Sequence, residues 1–251
     1  LGWPMTVFVN TRGVDEAVSS YMNWHQMREM AHNGITFENH SHTHTHLLRL
    51  KPDETETQWL TRIESDIQIA QNRITREIGD SPQLFAYPYG EYNPSITEMV
   101  QRLGLTGFGQ QSGPVWTTAN SGFLPRFPMA AQYAQMKGFI TKVNTLPLPV
   151  VWAKPVNPLR PPDETQPTLT LKLESGKYSK AQLQCFVGGS NDVAINWLET
   201  DKTVEITPNN PLSPGRHRSN CTMPSTIKGR YHWYSHNWFI PKPDGSWYGE
   251  Y

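Results

Sequence analysis

No stretch of this 251-residue chain approaches the roughly 18 consecutive apolar residues that a bilayer-spanning helix needs. Its opening, L-G-W-P-M-T-V-F-V, has neither a basic segment nor a small-residue cleavage site. The chain as it stands is expected to be soluble and to carry no address of its own, and the lack of an initiator Met reads as a processed or incomplete product. Charge of one sign is also lacking: 22 Lys and Arg stand against 22 Asp and Glu, which argues against a partner recognised by bulk charge, nucleic acid included. Cysteine is nearly absent. Cys185 and Cys221 are too few for a zinc site; they read as a disulfide between two sheets, implying an oxidising compartment, or as two buried thiols. No internal repeat or low-complexity tract is present.

Apolar and aromatic residues are plentiful. At 37% hydrophobic, with 9 Trp, 10 Tyr and 9 Phe, the chain can build a core, and its rings are of the kind that stack on sugar faces, although most Trp in proteins is core. The first 145 residues alternate in type. A β-branched and aromatic run at Met5 to Val9 precedes a helical stretch around Asn23 to Asn33, and Gly34 ends it before a strand at Ile35 to Asn39. A long helix follows from about Asp53 to Ile78, with Leu60, Ile63, Ile67, Ile74 and Ile78 at helical spacing, stopped by Gly79 and Pro82. Leu84 to Tyr87 reads as a strand, Pro94 to Leu103 as a helix, and Thr106 to Gly109 as a strand. This rhythm predicts parallel strands with helices packed outside, as an α/β barrel or open sheet, with chemistry at the C-terminal strand ends.

Between Thr145 and Pro167 seven of the 21 prolines crowd together, so residues 147–167 are expected to form an extended, semi-rigid linker. That divides the chain into an α/β domain, 1–146, and a strand-rich domain, 168–251. The order Cys185, Trp197, Cys221 in the latter suggests an immunoglobulin-like β-sandwich. Tyr231, His232, Trp233, Tyr234, His236 and Trp238 read as core plus surface decoration, with a glycan platform as the alternative.

Asn39 to Leu47, N-H-S-H-T-H-T-H-L, places His40, His42, His44 and His46 at every second position. A catalytic metal takes about three protein ligands and keeps one position open. On a straight strand, histidines four residues apart share a face yet stand about 13 Å from each other, so convergence demands a bend straight after Asn39. The alternative is a solvated His-rich loop with incidental metal affinity.

The stretch Gly34 to His44 resembles the second motif, His-[Ser/Thr]-x-x-His, of the polysaccharide deacetylase family, also known as the NodB-homology domain or carbohydrate esterase family 4. Leu84 to Asn93, with Tyr87-Pro88-Tyr89-Gly90 inside it, is similar to the family's third motif, Arg-x-Pro-[Tyr/Phe]-Gly, with Ala86 in place of the arginine. W-P-M-T-V-F-V-N resembles a family strand, and Leu124 to Pro128 resembles the L-P-R-I-P stretch of the branch that deacetylates poly-N-acetylglucosamine. The likeness spans Leu1 to about Pro149. It implies a deformed (β/α) barrel, here without its first strand, and a metal-dependent de-N-acetylase.

Two registers fit the second motif, His40 with His44 or His42 with His46; the placement of Gly34, Asn39 and Leu47 favours the first. The resemblance then implies His40 and His44 as ligands of a divalent ion, zinc above cobalt or nickel. It also implies the Tyr89 backbone N–H as an oxyanion donor, Arg126 as orienting the base or binding a sugar acid group, and Tyr87 and Pro88 as substrate contacts.

Departures from the family pattern matter as much. The Thr-Phe-Asp-Asp motif that supplies the third ligand and the base lies upstream of the strand matched by Met5 to Val9. None of Asp15, Asp53, Asp66 or Asp80 stands in that context, and the proton-donating His of the fifth motif is missing after Arg126. The chain is therefore expected to be the C-terminal portion of a longer secreted, periplasmic or cell-surface enzyme acting on an N-acetylglucosamine polymer such as a biofilm polysaccharide. Its missing N-terminal portion would then be a partner. Alternatives are a non-catalytic carbohydrate binder on a degenerate scaffold, an O-acetyl esterase and a peptidoglycan deacetylase.

Overall fold

In a computed structural model that describes residues 3–117, 119–174, 178, 180–198 and 202–249, the N-terminal part alternates strand and helix. β1 (Met5–Val9), β2 (Ile35–Asn39), β3 (Leu84–Ala86) and β4 (Thr106–Phe108) lie side by side, all parallel. Between them run α1 (Thr11–Asp15), α2 (Trp24–His32), α3 (Glu56–Ile78) and α4 (Pro94–Arg102). Each helix starts where a short polar side chain accepts a backbone N–H of the first turn: Asn10 from Gly13, Asn23 from Gln26, Thr55 from Gln58 and Asn93 from Ile96. In α2 and α3 the third residue, Gln26 or Gln58, returns the bond and completes a capping box. Gly79, at φ 100°, ends α3 in a conformation that favours glycine.

One stripe of α3, Trp59, Ile63, Ile67, Ala70 and Ile74, is buried. Removing each Ile from water contributes about 1.5–3 kcal/mol, which is why this mostly polar helix holds its place. Ile74 joins Val9, Val14, Met27 and Phe37 in one apolar cluster. Among the described residues the strand order is linear, β1-β2-β3-β4, with Leu124 bridging to Phe108 beyond β4, and a closed barrel is not seen. Open and closed parallel sheets share the same β, α alternation, so periodicity cannot separate them.

By contacts the chain falls into two units, Leu1–Gly109 with Asn120–Leu124, and Gln110–Ala119 with Pro125–Tyr251. The boundary comes earlier than residue 146. The second unit contains α5 (Met136–Val143) and two four-stranded sheets. β6 (Val150–Lys154), β7 (Leu169–Leu173), β10 (Thr203–Pro208) and β9 (Val193–Leu198) make one sheet. β5 (Leu146–Pro147), β12 (Tyr231–Ile240), β11 (Gly215–Pro224) and β8 (Gln184–Val187) make the other. Leu169, Leu171, Leu173, Val204 and Ile206 of the first sheet share a core cluster with Cys185, Cys221, Met223 and Trp238 of the second.

Two expectations are corrected here. Cys185 and Cys221 do form a disulfide, but it joins directly opposed residues of neighbouring strands β8 and β11 in one sheet, so it does not tie two sheets together as in immunoglobulin domains. Part of the proline-rich segment, expected as an extended, semi-rigid linker, runs as strands. It supplies β5 and β6, each at the edge of its sheet, where Pro147 of β5 can lack an N–H at little cost. Pro147 still offers its carbonyl, which accepts from His232 Nδ1 at 2.9 Å.

Candidate metal centre

The histidine run leaves β2 at a bend built by side chains. Asn39 is fully buried; its Nδ2 donates to Ile67 O and Gln71 Oε1 on α3, and its Oδ1 accepts from Ser41 N at 2.8 Å. Ser41, at φ 65°, turns the chain, and its Oγ accepts from His44 N at 2.9 Å. Asp66 on α3 accepts from the backbone N–H groups of His42 and Thr43 at 3.2 Å. His40 N still reaches across to Val9 O, and Arg12 N to His42 O. The loop is therefore pinned to α3, to the end of β1 and to itself.

This bend removes the 13 Å problem. His40 Nδ1 lies 2.6 Å from Ala86 O. A carbonyl only accepts, so Nδ1 carries the hydrogen and Nε2 the lone pair. His40 Nε2 stands 3.2 Å from His44 Nε2. Two nitrogens at that separation, each about 2.0–2.1 Å from a shared ion, subtend an angle of about 100°, close to tetrahedral. His42 turns elsewhere. Its Nδ1 meets Thr11 Oγ1 at 2.8 Å, and its side chain lines an open depression of ≈ 490 Å³ with Arg12, Lys51, Arg62 and Asp66, which neither His40 nor His44 borders. His46 Nδ1 donates to Glu91 Oε1 at 2.8 Å.

The Pro88–Gly90 turn that follows β3 faces these rings. Gly90 N donates to Tyr87 O and Glu91 N to Pro88 O, and Tyr89 takes φ 56°, ψ 5°. The Tyr89 ring lies 4.7 Å, edge to face, from that of His44, and 3.8 Å, stacked, from that of His46. Tyr87 and Pro88, expected as substrate contacts, are both buried. Tyr87 continues the inward side of β3, packs against Phe85 and Tyr92, and donates its hydroxyl to Gly122 O. Burial pushes its pKa well above the usual phenol range, so it serves as a neutral core donor. Arg126 belongs to the second unit, where its backbone N–H donates to Gln111 O.

Two imidazoles thus fit a divalent cation. Among the described residues no group of three or more His, Cys, Asp or Glu is arranged to hold a metal, so the ligand set does not close there. Sequence reasoning missed the structural work of Asp66 and the partnership of Glu91 with His46. Asp66 could have been suspected from its place on the inward stripe of α3, one residue before Ile67. Glu91 sits inside the third motif itself.

Residues 1–108 match the family model described as polysaccharide deacetylase. Among solved structures, the chain is similar to the Streptococcus pyogenes deacetylase PplD in complex with acetate, at 19% identity and TM-score 0.48, covering 55% of this chain and 57% of that one. It is similar to a de-N-acetylase from Aggregatibacter actinomycetemcomitans, at 17% identity and TM-score 0.47, covering 55% and 65%. It is also similar to the BpsB deacetylase domain from Bordetella bronchiseptica, at 20% identity and TM-score 0.45, covering 49% and 60%. The chain therefore spans less than two thirds of each. No curated protein matches the chain. With the His-Ser-x-x-His and Pro-Tyr-Gly motifs in family order at the ends of β2 and β3, residues 1–108 of this chain carry the likeness to the polysaccharide deacetylase family.

Proposed function

We propose that the chain is part of a metal-dependent enzyme that removes N-acetyl groups from an N-acetylglucosamine-containing polysaccharide outside the cytoplasm. The observation that carries this reading is the approach of His40 Nε2 to His44 Nε2 at 3.2 Å, with His40 fixed in its tautomer by Ala86 O. These two residues would hold a divalent ion, zinc by preference for nitrogen donors, together with a carboxylate from outside the described residues. Bound there, the ion would supply Lewis-acid polarisation of an acetamide carbonyl and acidify a water. In this reading the left-handed Tyr89 presents its backbone N–H to the oxygen that gains charge. No helix among the described residues is long and apolar enough to cross a membrane.

The test is calorimetric titration of the 251-residue chain with Zn²⁺ and Co²⁺. Weak binding that disappears in His40→Ala and in His44→Ala, and survives in His42→Ala, is the expected result; survival in His40→Ala would sink the assignment. Acetate release from N-acetylglucosamine oligomers by this chain alone is expected to be negligible, because no Asp pair accompanies the histidines among the described residues. Full turnover would show that the base lies elsewhere.

A further inference from the structure

Glu91 and His46 have no part in the reading above, yet both are built into the site. The Glu91 side chain is completely buried. Its Oε1 accepts from His46 Nδ1 at 2.8 Å and its Oε2 from the backbone N–H of Leu48 at 3.2 Å. A carboxylate buried this deeply is tolerated only when its oxygens are filled. Each of these bonds therefore ties the 46–48 segment to the turn after β3, and Leu47 and Leu48, at 0% and 2% exposure, lock it from the other side.

The His46 ring lies nearly flat on Tyr89, 3.8 Å between centroids and 12° between planes. Tyr89 meets His44 at 4.7 Å and 61°. Its φ of 56° is a strained conformation for a non-glycine residue and persists where neighbouring contacts over-determine it. From this series of contacts the geometry points to Glu91 and His46 as positioning residues: they hold the Tyr89 ring against His44 and so set the direction of one of the two converging imidazoles. His40 is oriented by a carbonyl, the usual device for a metal-binding histidine. His44 is oriented by an aromatic wall, and the Glu91–His46 pair is what fixes the wall. The bearing on an ion rests on the reading proposed above; the contacts themselves need no ion.

The test begins on the 251-residue chain without added metal. The ring protons of His44, read by NMR, are expected to be displaced by the Tyr89 ring current. That displacement should be lost in His46→Ala and reduced but not lost in His46→Phe, which can still stack but lacks the bond to Glu91, with amide dispersion confirming the fold in both. An unchanged His44 signal in His46→Ala, or its loss in His46→Phe as well, overturns the inference. Should His46→Ala not fold, Glu91→Gln replaces it. One acceptor oxygen then serves two donors, and a partial loss is expected, whereas an unchanged signal again overturns the role.

Titration with Co²⁺ follows. Affinity is expected to fall about 10–100-fold in His46→Ala, the usual cost of losing an orienting contact, and to recover within a few fold in His46→Phe. A wild type that takes up no Co²⁺ while the His44 signal behaves as stated removes the metal reading and leaves the positioning intact. Co²⁺ binding unaltered in His46→Ala removes the positioning and leaves the metal reading.

Discussion

At the scale of single residues, what each imidazole meets separates the four alternating histidines. His40 Nδ1 meets the carbonyl of Ala86, His42 Nδ1 the hydroxyl of Thr11, and His46 Nδ1 the carboxylate of Glu91. Only His40 and His44 bring ring nitrogens together. Removing either of these two should weaken Zn²⁺ binding by more than roughly 100-fold, since a ligand matters at least as much as its orienting contacts; the calorimetric comparison with His42→Ala checks it. Tyr87→Phe deletes the bond to Gly122 O and leaves that carbonyl without its hydroxyl donor. A loss of about 1 kcal/mol in urea denaturation is expected, with no effect on metal uptake. The alternation of histidines and the Pro-Tyr-Gly turn were legible in the chain, and the resemblance selected the register. The partners that sort the four rings were not, because they come from residues 31 to 46 positions away.

At the scale of elements, α3 does the most to place the site. Its carboxylate Asp66 and its carbonyl at Ile67 both hold the histidine loop, so the loop depends on how firmly α3 sits. Ile67 is fully buried, and Ile67→Ala is expected to cost 2–5 kcal/mol, roughly the range for truncating a buried aliphatic side chain. Thr55→Ala, which removes half of the capping box, should cost about 1 kcal/mol. Denaturant titrations read both, and an Ile67→Ala variant as stable as wild type would show that the stripe is not what holds the helix. Helix α3 was legible from its apolar spacing and its glycine stop. Its start was expected at Asp53 and lies at Glu56 because the Thr55–Gln58 box decides it.

At the scale of the whole molecule, the second unit has two built-in sensitivities. The Cys185–Cys221 bond closes a loop of sequence separation 36. Reduction is expected to lower the stability of that unit by roughly 3–4 kcal/mol through the entropy regained by the unfolded chain, read by urea unfolding with and without reductant. His236 is buried beside Trp238. Burial, and secondarily the charge of Arg160, lowers its pKa to about 3. The unfolded chain, with an ordinary histidine pKa near 6.5, then binds the proton more readily than the folded one. This contribution to stability is full above about pH 6.5 and is lost as pH falls toward 3, by about 1.4 kcal/mol per pH unit. His236→Phe should flatten that part of the stability profile; an identical slope in the variant would assign the acid sensitivity to other groups.

What the sequence determined by itself was local: the apolar periods of the strands and helices, the glycines that end α3 and precede β2, and two motifs in family order. These depend on neighbours within a few residues, where spacing and side-chain chemistry suffice. Tertiary structure alone decided the order of strands in the first sheet among the described residues, that part of the proline-rich stretch becomes edge strands, and that the disulfide lies within one sheet. It also decided which two of four equivalent-looking histidines converge. Each of these turns on a partner distant in the chain, and the composition of a segment carries no information about what packs against it.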